Sequence, residues 1–487
     1  MTRDRARTSA FAAAIVACAA LASCSQALSS PAPSALQTVQ CPEDVQIDLV
    51  VAHTCLRLRV PEDRRQLSGR SIDLLVVRIV PPGPVSRDPI VDMGGDVGDS
   101  FDFGGLGALA GRVHRVAYLL EERGTGHSSP SMACPEAKSV NAATVDEAAA
   151  LGVAAHECLA RLRQAGNDPA WFGPADVAAD ADSLRRAIGA SVWNVITYGS
   201  SSVFAAELAR TYPGTVRSVV VDSPAPLASQ YASGAATWQA WTSVVAGCRA
   251  TAACVRAYPN ISDDLWARTA RALAAHPIQV PGLPAGSGPL GADALGRVVR
   301  AMLSGPGPDQ PALIPSTLNN LVNGLLSSDL NNQLSTDSGG CMGYRPVCGD
   351  SNALASDLTT MCPLLTTTST VAGPALPGAQ ALDPARTFAA ACNGWPVAAP
   401  APASLPQMLP TLVFYGKLDP FVDQATLDGW THRPHAYLVA VPGQTHNAIG
   451  FDDCPIMIRN AWVDQPTSPP LTDCLMTLPV YQFGTNG

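Results

Sequence analysis

Between residues 193 and 213, the sequence passes from a short apolar run, through a turn of small residues, into a helical pattern. The apolar run, residues 194–198, predicts a strand, and the turn that follows reads Gly-Ser-Ser-Ser-Val over residues 199–203. A sharp turn from strand to helix can hold a serine in a strained backbone conformation, with its hydroxyl exposed at the sheet edge. The pattern predicts Ser201 as a nucleophile. A plain serine-rich turn is the alternative, and Val203 stands where such a turn usually has glycine.

Strand-like and helix-like segments alternate around this turn, which predicts a mostly parallel sheet covered on both faces, an α/β architecture. From about residue 226 to residue 405 the strand-like runs stop, and helical windows punctuated by Gly, Pro and Ser predict an inserted helical cap. Predicted strands cover residues 72–80, 89–93, 115–120, 194–198, 216–221, 411–415 and 436–441, and predicted helices before the turn cover 144–164 and 176–188.

The N-terminus is typical of a targeting segment. Three arginines precede an apolar run, residues 11–20, that is too short to span a bilayer. Leu-Ala-Ser-Cys follows at residues 21–24, which resembles a bacterial lipobox and predicts Cys24 as the lipidated first residue of the mature protein. A simple secretory signal is the alternative. We therefore expect export, with the chain lipid-anchored in the cell envelope or secreted, and no transmembrane helix.

The predicted organisation has five parts. A signal peptide and a Ser/Pro/Ala tether precede a sheet core, which is interrupted by the helical cap. The parts are residues 1–23 for the signal peptide, 24–45 for the tether, 46–225 for the first part of the core, 226–405 for the cap and 406–487 for the second part of the core.

Cysteine content and charge narrow the class of protein. Beyond Cys18 and Cys24, twelve cysteines remain, and an even number in an exported chain indicates up to six disulfides. No Cys-x-x-Cys motif occurs, so we expect no metal site. The net charge of −9 argues against a nucleic-acid partner, which requires a basic face.

Two loop residues complete a possible serine-activating set. In open α/β sheets, reactive side chains lie just beyond the carboxyl ends of strands. Asp419 and His446 each follow a predicted strand at such a position. A serine hydroxyl needs a histidine to take its proton, and that histidine needs a carboxylate to orient it. We predict Ser201, Asp419 and His446 as nucleophile, acid and base, with Asp222 as a fallback acid. A turn-forming Asp-Pro and a surface histidine are the alternatives.

An acyl-transfer serine also needs backbone N–H donors for the oxyanion that forms. One donor is expected to be the amide of Ser202, next to the nucleophile. The others are expected at Gly95 and Asp96, in a loop whose glycines allow the backbone to approach a substrate carbonyl. An ordinary glycine turn is the alternative for that loop. This chemistry requires no cofactor.

Together, these motifs resemble the tripeptidyl-aminopeptidase-like α/β-hydrolases, a secreted group related to proline iminopeptidases. The likeness spans almost the whole mature chain. It implies an α/β-hydrolase fold with a helical cap, the catalytic roles given above for Ser201, Asp419 and His446, and release of residues from the N-termini of peptides. The motifs that carry it are the Gly94-Gly95 loop, the Arg-Gly-Thr-Gly-His-Ser run at 123–128, the turn at 193–213, and the loops at 416–420 and 442–446.

The cysteine layout also resembles that of the family. The resemblance implies the disulfides Cys134–Cys158, Cys248–Cys254 and Cys454–Cys474. Proximity in the sequence suggests three more, Cys41–Cys55, Cys341–Cys348 and Cys362–Cys392, although spacing alone does not determine the pairing.

The chain departs from the family pattern at two glycine motifs and in the cap. The family turn usually reads Gly-Gly-Ser-Tyr-Gly, and its oxyanion loop usually reads Gly-Gly-Pro-Gly, where this chain places the carboxylate of Asp96. Related iminopeptidases hold the substrate amino group with acidic cap residues, notably Glu, whereas residues 226–405 contain no Glu. An esterase or lipase acting on small esters, and a catalytically silent lipoprotein binding module, therefore remain alternatives to a peptidase. The sequence does not determine the oligomeric state.

Overall fold

The computed structural model describes most of the chain between residues 35 and 483. The described residues are 35–43, 45, 52–66, 68–94, 114–140, 144, 146–227, 234–282, 288–304, 309–328, 330–331, 354–365, 378–379, 384–397, 405–450, 453–478 and 482–483.

The described strands form a nine-stranded sheet with the order β1-β2-β3-β5-β4-β6-β7-β8-β9. Pairing is antiparallel from β1 to β3 and between β3 and β5, and parallel from β5 through β4 to β9. The strands are β1 (Leu36–Val39), β2 (Ala52–Pro61), β3 (Ser71–Val80), β4 (Ile90–Asp92), β5 (Ala117–Leu120), β6 (Trp193–Tyr198), β7 (Val216–Asp222), β8 (Thr411–Gly416) and β9 (Ala436–Val441).

The central strands are apolar along most of their length because both faces of the sheet are covered. Successive side chains of a strand point to opposite faces. Along β7, Val219 and Val221 belong to one hydrophobic cluster, whereas Val220 belongs to another.

The helices are α1 (Glu147–Gln164), α2 (Pro174–Ala187), α3 (Ser202–Thr211), α4 (Gly234–Ala250), α5 (Ala252–Ala257), α6 (Leu265–Ala275), α7 (Ala292–Ser304), α8 (Asp309–Val322), α9 (Leu354–Met361), α10 (Pro384–Cys392), α11 (Gln424–Thr431) and α12 (Asp453–Asp464).

This architecture confirms the predicted fold class. A mostly parallel sheet with helices on both faces, a single exchange of neighbouring strands at β5-β4, and a strand–turn–helix at β6–α3 together make the α/β-hydrolase fold. The carboxyl ends of β4 to β9 meet at one edge, and the candidate site lies there.

Helices α4 to α8 build a hydrophobic cluster separate from those on the sheet. Trp266 lies at its centre, with its ring edge-on to Trp238 and Trp241 at centroid distances of 5.5 and 5.6 Å. Helices α9 and α10 instead contribute to the cluster on one sheet face, where they pack against α1. Two packing environments therefore occur within the segment predicted as the cap, whose boundaries stay a prediction.

Five disulfides join cysteines among the described residues. Two predictions, the lipidation of Cys24 and the disulfide Cys341–Cys348, fall on cysteines outside those residues. No helix in the described ranges is both long and apolar enough to cross a membrane. The disulfides are Cys41–Cys55, Cys134–Cys158, Cys248–Cys254, Cys362–Cys392 and Cys454–Cys474.

Candidate active site

The turn between β6 and α3 differs from the predicted one. Residues Gly199–Ser201 form a single 3-10 turn, and Gly199 takes the left-handed conformation, with φ of +56°. Ser201 has ordinary helical angles, φ −65° and ψ −12°. The prediction of a strained serine is therefore wrong, because glycine, which has no Cβ, makes the reversal two residues earlier.

The predicted base and acid are in contact. His446 Nδ1 lies 3.1 and 3.0 Å from the two carboxylate oxygens of Asp419, and both side chains are buried. The backbone amide of Phe421 donates to Asp419 Oδ1 at 2.9 Å, which fixes the carboxylate. With Nδ1 directed at a carboxylate, Nε2 is the nitrogen left to accept a proton.

Aromatic rings enclose His446 next to the strand that leads to Ser201. Tyr198, the last residue of β6, has its ring centroid 5.0 Å from that of His446. Phe421 packs edge-on to the same imidazole at 4.9 Å. The structure thus places the base beside the end of the strand whose turn carries the predicted nucleophile.

Asp222, the fallback acid, contacts the histidine loop through backbone amides. Its two oxygens accept hydrogen bonds from the amides of Ala448 and Ile449 at 2.9 and 2.8 Å. Burial raises its pKa to about 6, against the effect of these two bonds and of nearby His446. Asp419, and not Asp222, makes the carboxylate contact with the imidazole, so the geometry favours Asp222 as a residue that positions the loop.

We expect Asp222→Asn to slow the proposed hydrolysis about tenfold, because an amide side chain offers only one acceptor oxygen to the two loop amides. The rate of reaction with an active-site fluorophosphonate measures this. Asp263→Asn, at an 88% exposed aspartate, is the matched control and should leave the rate unchanged. An equal rate in both variants would show that Asp222 does not position the loop.

The same substitution should also alter the pH dependence of stability. Native Asp222 holds its proton up to about pH 6, whereas its ordinary pKa is 3.8. A pKa that is raised on folding contributes stability that is present at low pH and lost as pH rises through about 6. The free energy of unfolding of the wild type, minus that of Asp222→Asn, should therefore fall between about pH 4 and pH 6. Urea titrations at several pH values would measure it, and a rising difference would contradict the assignment.

Close backbone packing brings the acid and histidine loops together. A Cβ on Gly416 would lie 2.1 Å from the carbonyl oxygen of Thr445 and 2.2 Å from that of Gln444. The amide of Leu418 donates to the same Gln444 oxygen at 2.9 Å. Only glycine fits at position 416, where β8 ends. Because it has no Cβ, the backbone of Thr445, the residue before His446, packs directly against the end of the strand that leads to Asp419.

Sequence reasoning missed one residue at this site, Glu122. The hydroxyl of Ser201 donates to Glu122 Oε1 at 2.9 Å, and Glu122 and Ser201 are only 6% and 0% exposed. Glu122 lies two residues after β5. The rule that predicted Asp419 and His446, that reactive groups follow the carboxyl ends of strands, would also have found it.

A buried ion pair anchors the segment that carries Glu122. Arg123 donates to both oxygens of Asp180 at 2.7 and 2.8 Å, and to the carbonyls of Glu62 and Trp171. Burial acts to lower the pKa of Arg123, but Asp180 outweighs it, so the pKa is raised and the guanidinium stays charged. Arg64 reaches the same carboxylate. Arg123 therefore holds the backbone next to Glu122 in place.

The predicted oxyanion donors are only partly described. Gly95 and Asp96 lie outside the described residues. The amide of Ser202 donates to carbonyls of the 3-10 turn, those of Gly199 and Ser200, so in this structure it is used within the turn. At the start of the glycine loop, Asp92 Oδ1 accepts from the amide of Gly94 at 3.0 Å, and burial raises the pKa of Asp92 to about 6.

Comparisons with known proteins show similarity in structure but not in sequence. No family model matches the chain, and no curated protein matches it in sequence. Similar solved structures include a proline iminopeptidase of Mycobacterium smegmatis, at 14% identity over 84% of this chain and 98% of that one, with a TM-score of 0.40. A bacterial membrane phospholipase A is 11% identical over 85% and 86%, with a TM-score of 0.38. A thermophilic esterase of Thermogutta terrifontis is 10% identical over 85% and 99%, with a TM-score of 0.35. At these TM-scores the likeness carries no argument about activity.

Proposed function

We propose that the chain is a serine hydrolase that acts on peptides through an acyl-enzyme, with Ser201 as nucleophile, His446 as base and Asp419 as the orienting acid. The observation that carries the proposal is the buried contact of His446 Nδ1 with both oxygens of Asp419, next to the strand that leads to Ser201. A buried imidazole–carboxylate pair beside a strand–turn–helix serine is the arrangement that activates a hydroxyl.

The proposed reaction has two halves. In the first, Ser201 Oγ attacks the carbonyl carbon while its proton moves to His446 Nε2, and Asp419 stabilises the imidazolium through Nδ1–H. The C–N bond then breaks, and His446 returns the proton to the leaving amine. In the second half, water attacks the acyl ester while His446 takes its proton, and Ser201 regains its hydrogen as the acid departs.

The Ser201 hydroxyl must turn for this chemistry. Its hydrogen is directed at Glu122 in the present structure, so the first step requires the hydroxyl to turn from Glu122 toward His446. Rotation between staggered side-chain conformations is an ordinary motion. The hydrogen bond from Ser201 to Glu122 must therefore break and form again in each turnover.

Release of residues from peptide N-termini is the substrate class that we propose, on the resemblance of the sequence to tripeptidyl-aminopeptidase-like hydrolases. We also propose export, with Cys24 as the lipid anchor. The five disulfides support export, because disulfides persist in oxidising compartments.

A fluorophosphonate probe, which reacts with activated serines, tests the proposal. The purified chain should be labelled and Ser201→Ala should not, with peptide hydrolysis falling about 10⁶-fold in the variant. A charged form of the probe that cannot cross membranes, applied to intact cells, should label the protein if it is exported. A folded wild type that is not labelled would overturn the enzyme proposal and favour a silent binding module. Labelling with activity on esters alone would favour an esterase.

A further inference from the structure

The contact between Ser201 and Glu122 has a chemical consequence for the substrate. Glu122 Oε1 accepts the hydroxyl hydrogen of Ser201 at 2.9 Å, in a place from which solvent is excluded. When Ser201 attacks a carbonyl, its proton leaves for His446, and Glu122 loses this hydrogen bond. A buried carboxylate next to the nucleophile is a favourable position for a positively charged donor on the substrate.

A substrate with a free amino terminus carries such a donor at the right distance. In an acyl-enzyme, three bonds separate the serine oxygen from the α-nitrogen of the first residue, which places the nitrogen about 3 Å from Oγ. Before Ser201 turns, Glu122 Oε1 lies 2.9 Å from the same Oγ. When the hydroxyl turns toward His446, an α-ammonium group on the Glu122 side of the acyl carbon takes the place that it leaves beside the carboxylate.

We propose that Glu122 binds the free α-ammonium group of the residue being released, and that this pairing frees the Ser201 hydroxyl to turn toward His446. The inference rests on the proposed function and assigns its specificity to one side chain. Charge-assisted hydrogen bonds are the stronger ones, so an ammonium replaces the hydroxyl favourably. A substrate whose amine is blocked, or a simple ester, offers no such replacement.

The position of Glu122 also sets how many residues are released. The cap segment, residues 226–405, contains no Glu, whereas Glu122 stands on the sheet edge in contact with the nucleophile. If three residues were released together, the ammonium would lie two residues further out, about 7 Å beyond the reach described above. The geometry points to release of single N-terminal residues.

The test compares substrates that differ only at the amine. A panel of aminoacyl p-nitroanilides and their N-acetyl forms gives, for each variant of the full chain, the ratio of kcat/KM for the free to the acetylated form. The wild type should favour the free amine by at least about tenfold. Glu122→Gln should reduce that ratio about 10- to 100-fold, and Glu122→Asp, which keeps the charge, should reduce it less. Glu157→Gln, at an exposed glutamate on α1, is the matched control and should keep it.

The ratio separates binding of the amine from general damage, because damage to the fold or to Ser201 lowers both rates alike. A wild type that labels with fluorophosphonate but does not prefer free amines would overturn this inference and leave the proposed function standing. An unchanged ratio in Glu122→Gln would do the same. A wild type that neither labels nor cleaves any substrate would count against the proposed function itself.

A binding measurement keeps the inference testable without turnover. Calorimetric titration of Ser201→Ala with amino-acid amides and their N-acetyl forms should show at least about tenfold tighter binding of the free amines. The preference should disappear in Ser201→Ala/Glu122→Gln, with folding checked by circular dichroism. If that double variant does not fold, the titration of Ser201→Ala alone decides. Equal binding of free and acetylated amides would overturn the inference.

Discussion

Asp419→Asn is expected to lower kcat for the proposed hydrolysis about 10⁴-fold. One of the two oxygens that face His446 Nδ1, at 3.1 and 3.0 Å, becomes an amide donor in this variant. An NH₂ group opposite Nδ1 favours the tautomer whose proton is on Nε2, and that tautomer cannot accept the proton of Ser201. Single-turnover kinetics with an activated ester, or the rate of fluorophosphonate labelling, would measure the loss.

Asp428→Asn is the matched control, because this aspartate lies on α11 with its carboxylate 3.6 Å from Nε2 of the exposed His432, outside the site. It should retain the wild-type rate. A fully active Asp419→Asn would mean that another carboxylate orients His446. If that carboxylate is Asp222, then Asp222→Asn should cause the larger loss of kcat. The two aspartate variants therefore identify the orienting acid between them.

Arg123→Met is expected to lower the free energy of unfolding by about 3–5 kcal/mol. Both Arg123 and Asp180 have fully buried side chains, and their pairing is bidentate. Removing the guanidinium leaves Asp180 with Arg64 as its cation, and leaves backbone carbonyls at Glu62 and Trp171 without this donor. Thermal and urea unfolding would measure the change.

Arg161→Met is the matched control for that variant. Arg161 also pairs with a carboxylate, Glu136, but its side chain is 42% exposed, and surface ion pairs contribute about 0–1 kcal/mol. Similar losses in the two variants would show that the buried network does not stabilise the fold beyond an ordinary surface pair. Because Arg123 adjoins Glu122, its loss should also reduce the preference for free amines.

Several elements of the site followed from local sequence. The apolar run before Ser201, and the loops of Asp419 and His446 at the ends of β8 and β9, are marked by short-range patterns of burial and turn residues. The geometry brings the acid and the base of that prediction into contact. Strand β2, in contrast, was not predicted, because its pattern mixes exposed and buried positions with charged residues at the antiparallel side of the sheet.

Other features depended on contacts between distant parts of the chain. From the sequence, Asp222 and Asp419 were both possible acids, since each follows a strand. The choice between them depends on where the histidine loop lies, and that is fixed by packing at Gly416 and by the bonds from Ala448 and Ile449 to Asp222. The unstrained turn at Ser201 is also a tertiary result, because the amide of Ala225, beyond β7, donates to the carbonyl of Gly199 and to the hydroxyl of Ser202.

The sequence by itself determined the alternation of strands and helices, the class of fold, and the residue types at the strand ends, because periodicity and turn chemistry act over a few neighbouring residues. Only the tertiary structure decided which of those residues meet. Glu122 and Ser201 are 79 residues apart, and Arg123 and Asp180 are 57 apart. The first pair meets because β4 lies between β5 and β6 in the sheet, an order that is set by the packing of whole strands and helices.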